Sequence, residues 1–240
     1  MRNADAPWDR FDPVANWARN YDWVRPDDAE IIGQLSQFVA ALPVGGRSID
    51  VGPGSNLYPA MALSTRAREV VLVEHGRRNA DWLRSVAALE SLPESWRGFA
   101  ELICAGLGGT PDEVWSGLQA TVEVVEGNLF DLPAGSFDVA TMFFVAESMT
   151  DDLDEFVEAC ESFVGALTPG GSCFAAFVEG SLGYSVDGIA FPAVCITAAD
   201  LHGVFGRLLE TYEVHRITSG DAPPGADYTG VLVAKGTCRR

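Results

Sequence analysis

The chain has 240 residues, of which 48% are apolar, and a formal net charge of -18. This length and composition allow one sizeable hydrophobic core, and no stretch approaches the roughly 20 consecutive apolar residues that a membrane-spanning helix needs. The strong negative charge opposes contact with phosphate backbones, so neither a nucleic acid nor a membrane is expected as a partner.

The cysteines and the start of the chain indicate a cytoplasmic protein. The five cysteines are scattered, and no C-x-x-C pair occurs. An odd number at such spacing argues against a disulfide framework and against a metal site. The first residues are polar and carry Asp5 and Asp9, which is not typical of a secretory leader.

The first 45 residues are expected to form a helical segment rich in aromatic side chains. Pro13 favours a helix that runs to Tyr21, and apolar spacing predicts a second helix over residues 27–42. Trp17 and Tyr21 lie four positions apart, so they share one helical face. Two interpretations stay open for these aromatics and for Trp8: packing onto the core, or a lid over a planar ligand.

A predicted strand at 48–51 leads into the most informative stretch of the chain. The sequence from Ile49 to Tyr58 reads I-D-V-G-P-G-S-N-L-Y, and a helix is expected to follow. Glycine allows positive φ and a close ligand approach, and strand, turn and helix together favour a nucleotide-type site. A turn that needs glycine only for its own geometry is the alternative. The third glycine of the dinucleotide fingerprint is absent, which argues against an NAD-dependent oxidoreductase.

Polar residues follow the next two predicted strands. The apolar run 70–73 ends at Glu74, where an acid can accept hydrogen bonds from both hydroxyls of a ribose. The strand at 121–127 is followed by Asn128, which can accept from an adenine amino group. Since the carboxyl ends of parallel strands share one edge of a sheet, these groups are expected to meet there.

The remaining pattern predicts an α/β fold. Glycines and prolines interrupt residues 91–120, which are expected to form surface helix and loop. The later predicted elements are strand 137–145, helix 151–167, strand 172–177, helix 197–211 and strands 212–217 and 228–234.

The order of these strand-end motifs resembles that of the class I S-adenosylmethionine-dependent methyltransferases. The motifs are D-x-G-x-G, an acid, Gly-Asn-Leu, Phe-Asp-Val and a helix followed by Pro-Gly-Gly. The resemblance implies a Rossmann-like, seven-stranded, mostly parallel sheet with helices on both faces. It also implies a single domain, with an N-terminal helical lid at 1–45 and a core at 46–240.

A narrower resemblance, to the nicotinamide and phenylethanolamine N-methyltransferases, covers almost the whole chain. It rests on F-D-P with Tyr21, the glycine turn, Glu74 with Asn79, E-S-M-T-D-D-L-D from Glu147, T-P-G-G, V-E-G-S and A-D-Y-T-G-V. The cofactor it implies is S-adenosyl-L-methionine, with S-adenosyl-L-homocysteine as product. The cofactor-binding residues it implies are Tyr21, Asp50, Gly52, Gly54, Ser55, Asn56, Tyr58, Glu74, Asn79, Asn128 and Leu129.

The same resemblance implies a small-molecule acceptor, an amine or an N-heteroaromatic. Glu179 and Asp227 fall at its acidic positions and are the predicted catalytic residues, while Trp8, Trp17 and Ser148 are predicted to bind the substrate. Two alternatives stay open: O- or C-methylation of a natural-product intermediate, and a non-catalytic protein that binds S-adenosylmethionine. A monomer is favoured.

The chain departs from the family pattern at several cofactor positions. Asn16 stands where the first of two paired tyrosines is expected, and Asn128 and Glu74 each stand where the relatives carry aspartate. The turn reads Gly-Pro-Gly instead of Gly-Ser-Gly. Asp50 is expected to order the glycine turn through its backbone amides.

Overall fold

The computed structural model describes residues 1–217 and 228–239. The strands are β1 (Arg47–Val51), β2 (Glu69–Glu74), β3 (Val122–Glu126), β4 (Phe137–Phe143), β5 (Leu167–Glu179), β6 (Tyr184–Val186), β7 (Ile189–Phe191), β8 (Leu209–Ile217) and β9 (Gly230–Cys238). The helices are α1 (Pro13–Asn20), α2 (Pro26–Ala40), α3 (Tyr58–Ser64), α4 (Arg77–Ala87), α5 (Glu94–Leu107), α6 (Pro111–Thr121), α7 (Leu153–Gly165) and α8 (Ala198–Leu208).

The main sheet has seven strands in the order β3-β2-β1-β4-β5-β9-β8. The first five strands of the chain are parallel, and β9 runs antiparallel between β5 and β8. This confirms the Rossmann-like fold. The order reverses between β1 and β4, so the crevice outside their carboxyl ends is the topological switch point at which such sheets bind ligands.

Two layers of helices cover the sheet because each helix has one apolar face. Helices α2, α3, α5 and α6 bury their apolar side chains on one face, and α7 and α8 bury theirs on the other. In α7 the apolar residues Phe156, Cys160 and Phe163 recur at helical spacing and are fully buried. None of the helices in the described ranges has the length and hydropathy needed to cross a bilayer.

Residues 91–120 differ from the prediction of surface helix and loop. They form α5 and α6, which bury Trp96, Phe99 and Trp115 in the core. Gly108 ends α5 at φ +81°, whereas Gly98, Gly106 and Gly117 lie inside the two helices without interrupting them. Thr110 then caps α6 in a reciprocal pair with Glu113.

The excursion after β5 is a small antiparallel hairpin of β6 and β7 that packs on the N-terminal segment. The ring of Phe191 stacks on Trp8 and on Tyr184, with centroids 5.2 and 5.5 Å away, and meets the edge of Phe11 at 5.2 Å. This aromatic cluster holds the N-terminal segment over the carboxyl edge of the sheet.

Candidate functional site

A cavity of about 500 Å³ lies at the carboxyl ends of β1, β2 and β4, beneath the N-terminal segment. Nine predicted site residues line it: Trp8, Tyr21, Gly52, Gly54, Glu74, Asn79, Asn128, Leu129 and Ser148. Six more lie outside its lining: Trp17, Asp50, Ser55, Asn56, Tyr58 and Glu179. Asp227 falls outside the described residues. The roles of all these residues stay predictions, since position alone does not assign a contact.

The glycine turn is open toward the cavity at one glycine and closed at the other. Gly52 and Gly54 have φ of +62° and +58°, a region that other residues rarely adopt. A Cβ on Gly52 would lie 2.9 Å from both γ-carbons of Val145. A Cβ on Gly54 would meet nothing within 4 Å, so this backbone leaves free space where a ligand can approach it.

Glu74 holds the glycine turn in place. Its Oε2 accepts from the Gly54 amide at 2.9 Å, and its Oε1 accepts from the Gly76 amide at 2.8 Å and from Asn79 Nδ2 at 3.4 Å. Burial raises the pKa of this carboxyl, which is only 5% exposed, while the amide hydrogen bonds lower it. An ionised carboxylate accepts about four hydrogen bonds, so a lone pair remains for a ligand in the cavity.

The expectation that Asp50 orders the turn was wrong. Its Oδ1 instead accepts from the Thr141 hydroxyl at 2.7 Å. Asp50 lies opposite Thr141 in the parallel pairing of β1 and β4, so its side chain meets the neighbouring strand. Burial raises the pKa of Asp50 to about 7.

Three buried acceptor oxygens at or near the cavity have no hydrogen-bond partner in the described part of the chain: Asp50 Oδ2, Asn79 Oδ1 and Glu147 Oε2. A buried acceptor left unsatisfied costs about 1–3 kcal/mol. Of these three residues only Asn79 lines the cavity, so its Oδ1 is the oxygen that favours a ligand donating a hydrogen bond.

Asn16 links α1 to the glycine turn. Its Nδ2 donates to Ser55 Oγ at 2.7 Å, and its Oδ1 accepts from Asn20 Nδ2 at 2.9 Å. Trp17, on the same helix, packs against the hydrophobic core outside the cavity, as the first interpretation of the aromatics proposed. Asn128 also has a local partner, because its Oδ1 accepts from the Phe130 amide at 3.1 Å.

The far end of the cavity is aromatic and hydroxylic. Trp8, Phe11 and Tyr184 line it, together with Ser148 and Ser181. Two hydrogen bonds fix the indole of Trp8, whose Nε1 donates to the carbonyl and side-chain oxygens of Asn3 at 3.0 and 2.9 Å. This end presents flat rings and short polar groups to whatever occupies it.

Sequence reasoning assigned no role to Glu147, which lies directly behind this end. Its Oε1 accepts from the Val178 amide at 2.8 Å and from Ser148 Oγ at 3.3 Å. The residue is 0% exposed, and burial raises its pKa to about 7. The available signal was its position at the start of the E-S-M-T segment, immediately after the fourth strand.

Glu179, a predicted catalytic acid, is held by an arginine outside the cavity. Its Oε2 accepts from Arg216 Nε at 2.7 Å, and the same arginine donates to the Thr229 carbonyl at 2.9 Å. The Glu179 side chain is 17% exposed. Its catalytic role stays a prediction, and in this geometry its carboxylate already has a cationic partner.

The buried Asp50 predicts a pH dependence of stability. Because its folded-state pKa is raised, its contribution to stability is complete below about pH 4 and is lost as the pH rises through about 7. We expect Asp50→Asn to raise the free energy of unfolding at pH 8 by about 1–3 kcal/mol and to flatten its pH dependence. Thermal unfolding followed by circular dichroism at pH 5.5 and 8 measures this.

The matched control is Asp131→Asn, at an exposed acid beyond the carboxyl end of β3. We expect its unfolding to follow the wild-type pH profile. An Asp50→Asn protein with that same profile would show that Asp50 does not carry the effect.

Comparison with known proteins gives one family and one fold. The model of the NNMT/PNMT/TEMT family matches residues 3–202. No curated protein sequence matches the chain.

Three solved structures illustrate the fold. The N-methyltransferase NodS from Bradyrhizobium japonicum WM9, in complex with S-adenosyl-L-homocysteine, is 12% identical at a TM-score of 0.58, over 98% of this chain and 93% of that one. The 1,6-didemethyltoxoflavin-N1-methyltransferase from Burkholderia thailandensis, with 1,6-didemethyltoxoflavin and S-adenosylhomocysteine bound, is 15% identical at 0.54, over 89% and 80%. The [4+2]-cyclase SpnF is 15% identical at 0.56, over 86% and 80%.

Proposed function

The chain belongs to the NNMT/PNMT/TEMT family, and on that premise we propose that it methylates a nitrogen atom of a small molecule. It is an S-adenosylmethionine-dependent methyltransferase, as its family and fold indicate. The family supports nitrogen over oxygen as the acceptor atom. The observation that carries the catalytic part of the proposal is the buried carboxyl of Glu147, which is connected through Ser148 to the aromatic end of the cavity and can act as a base.

The residues at the glycine turn fit S-adenosylmethionine. The free space at Gly54 admits a ligand against the backbone, and Glu74 and Asn79 offer acceptor oxygens beside it. A ribose presents two hydroxyl donors, which match these acceptors. We propose that these three residues, with Asn128 and Leu129 lining the next part of the cavity, hold the adenosine portion.

Bound S-adenosylmethionine supplies a methyl group activated by a sulfonium, for in-line displacement by a nucleophile. The protein's own contribution is to hold the acceptor in line and to keep water out. Trp8, Phe11 and Tyr184 provide flat surfaces against which a planar acceptor can pack.

An amine acceptor must release a proton on methylation, whereas a pyridine-type ring nitrogen has none to release. For an amine, two side chains are placed to take that proton. Ser148 Oγ lines the cavity and donates to Glu147 Oε1. We propose that Ser148 accepts the proton of the acceptor nitrogen while its own proton passes to Glu147. Asp227 remains a proposed second acid on the grounds of the family resemblance.

The cytoplasmic location is also part of the proposal, supported by five unpaired cysteines.

An acceptor panel with methyl-labelled S-adenosylmethionine tests the function. We expect label in amines or N-heteroaromatics and none in matched phenols or carbon acceptors. Labelled phenols alone would refute the nitrogen assignment. Binding of S-adenosylhomocysteine without labelling of any acceptor would instead favour the non-catalytic alternative.

A further inference from the structure

One end of the cavity carries a positive and a negative side chain next to each other. Arg25 and Asp28 belong to the first turn of α2 and both line the cavity. They form its cap, in which the Arg25 amide donates to Asp28 Oδ2 at 3.3 Å. Asp28 is buried, with 5% exposure, and Arg25 is half-buried.

Neither charge is neutralised by an ion pair with a described residue. The guanidinium of Arg25 donates through Nη2 to the carbonyl of Arg19 and leaves its other donors available. The Oδ1 of Asp28 has no hydrogen bond to a described residue, whereas Oδ2 serves the cap. The fold therefore places a cation and a buried carboxyl in one stretch of the cavity lining. Burial raises the pKa of Asp28 to about 7, and a cationic ligand beside it would favour its ionised form.

These charges lie around Tyr21, on the side of the glycine turn. Asp28 raises and Arg25 lowers the pKa of the Tyr21 hydroxyl, which burial already raises, so both charged groups lie close to it. The Tyr21 ring meets Tyr58, the first residue of the helix after the glycine turn, with centroids 6.3 Å apart. The aromatic cluster of Trp8, Phe11, Tyr184 and Phe191 forms a separate group.

A neighbouring cation and carboxyl match a zwitterion, and a guanidinium can bind a carboxylate through two parallel hydrogen bonds. We propose that Arg25 binds the α-carboxylate of the methionyl part of S-adenosylmethionine and that Asp28 accepts from its α-ammonium group. This inference rests on the proposed function. Asn16 does not take this role, because Ser55 and Asn20 engage its carboxamide.

Two ligands that differ only in the amino-acid tail isolate this contact. S-adenosylhomocysteine carries the zwitterion, whereas 5′-methylthioadenosine has the same nucleoside and thioether without it. In calorimetric titrations, we expect Arg25→Met and Asp28→Asn each to weaken S-adenosylhomocysteine binding about 10- to 100-fold. Binding of 5′-methylthioadenosine should stay within about twofold of wild type.

Arg97→Met is the control, since it removes an arginine paired with Glu94 on the surface; both affinities should stay at wild-type values. Arg25→Lys keeps the positive charge and removes only the planar guanidinium with its paired N–H donors. It should therefore lose less S-adenosylhomocysteine affinity than Arg25→Met. It also serves as the test if the methionine variant does not fold.

The inference is overturned if Arg25→Met and Asp28→Asn lose affinity for both ligands equally. It is also overturned if their affinity for S-adenosylhomocysteine is unchanged. A wild-type protein that binds both ligands equally well overturns it too. A wild-type protein that binds neither refutes the proposed function itself, which separates the two failures.

Discussion

Replacing Glu147 with glutamine is expected to lower kcat with the methyl acceptor about 100-fold or more, which is the usual size of a lost general base. Glutamine keeps an oxygen for the Val178 amide, so the loop should keep its shape. Since Glu147 lies outside the cavity lining and behind Ser148, the affinity for S-adenosylhomocysteine should change by less than about twofold. Initial rates and calorimetry on the same preparation measure both quantities.

The pH profile gives a second measure of Glu147. Because burial raises its pKa to about 7, the carboxyl accepts a proton only above that range. We expect kcat/KM to rise as the pH increases through about 7 and then to level off. Glu147→Gln should lack this ionisation.

Glu179→Gln is the matched variant, because it neutralises the acid that the sequence predicted as catalytic. Its carboxylate is paired with Arg216 outside the cavity, so we expect kcat to fall less than about fivefold. If kcat falls more in Glu179→Gln than in Glu147→Gln, then Glu179 is the catalytic acid, as the sequence predicted. That result would contradict the assignment of Glu147 from the geometry.

Replacing Glu74 with glutamine is expected to weaken S-adenosylhomocysteine binding about 10- to 100-fold. Glutamine has one acceptor oxygen where the carboxylate uses two, so one of the amides of Gly54 and Gly76 would face an NH₂ group. A hydrogen bond to a charged group contributes about 1.5–3 kcal/mol, and the predicted ribose contact would be lost with it. Calorimetric titration measures the change.

Glu126→Gln provides the control for Glu74. Glu126 lies beside Glu74 in the parallel pairing of β2 and β3, but it is exposed and pairs with Arg84. Its affinity for S-adenosylhomocysteine should match wild type. An unchanged affinity in Glu74→Gln would exclude the carboxylate from the cofactor site.

Much of the fold was predictable because its signals are local. Short apolar runs such as 70–73 indicated buried parallel strands, and the glycine turn at Gly52 indicated the edge at which they bind a ligand. Residues 91–120 were misjudged for a local reason as well. Their glycines resemble loop signals, and only the packing of Trp96 and Trp115 shows that the segment forms two helices of the core.

The roles of three acids could not be predicted from local sequence patterns. Asp50, Glu147 and Glu179 lie near the carboxyl ends of strands at the same edge of the sheet. The sequence predicted site roles for Asp50 and Glu179 and none for Glu147. Their partners then separate them, since Asp50 accepts from Thr141, Glu179 accepts from Arg216, and Glu147 accepts from the Val178 amide. These partners come from strands and loops far along the chain.

By itself, then, the sequence determined the family, the sheet and the glycine turn at its switch point, because each depends on short patterns read in order. Only the tertiary structure decided which carboxylate holds the turn and which lies behind the aromatic end of the cavity. It likewise placed Arg25 and Asp28 together in the lining of the cavity. Side-chain direction and pairing depend on neighbours brought together by folding, and no local pattern encodes those.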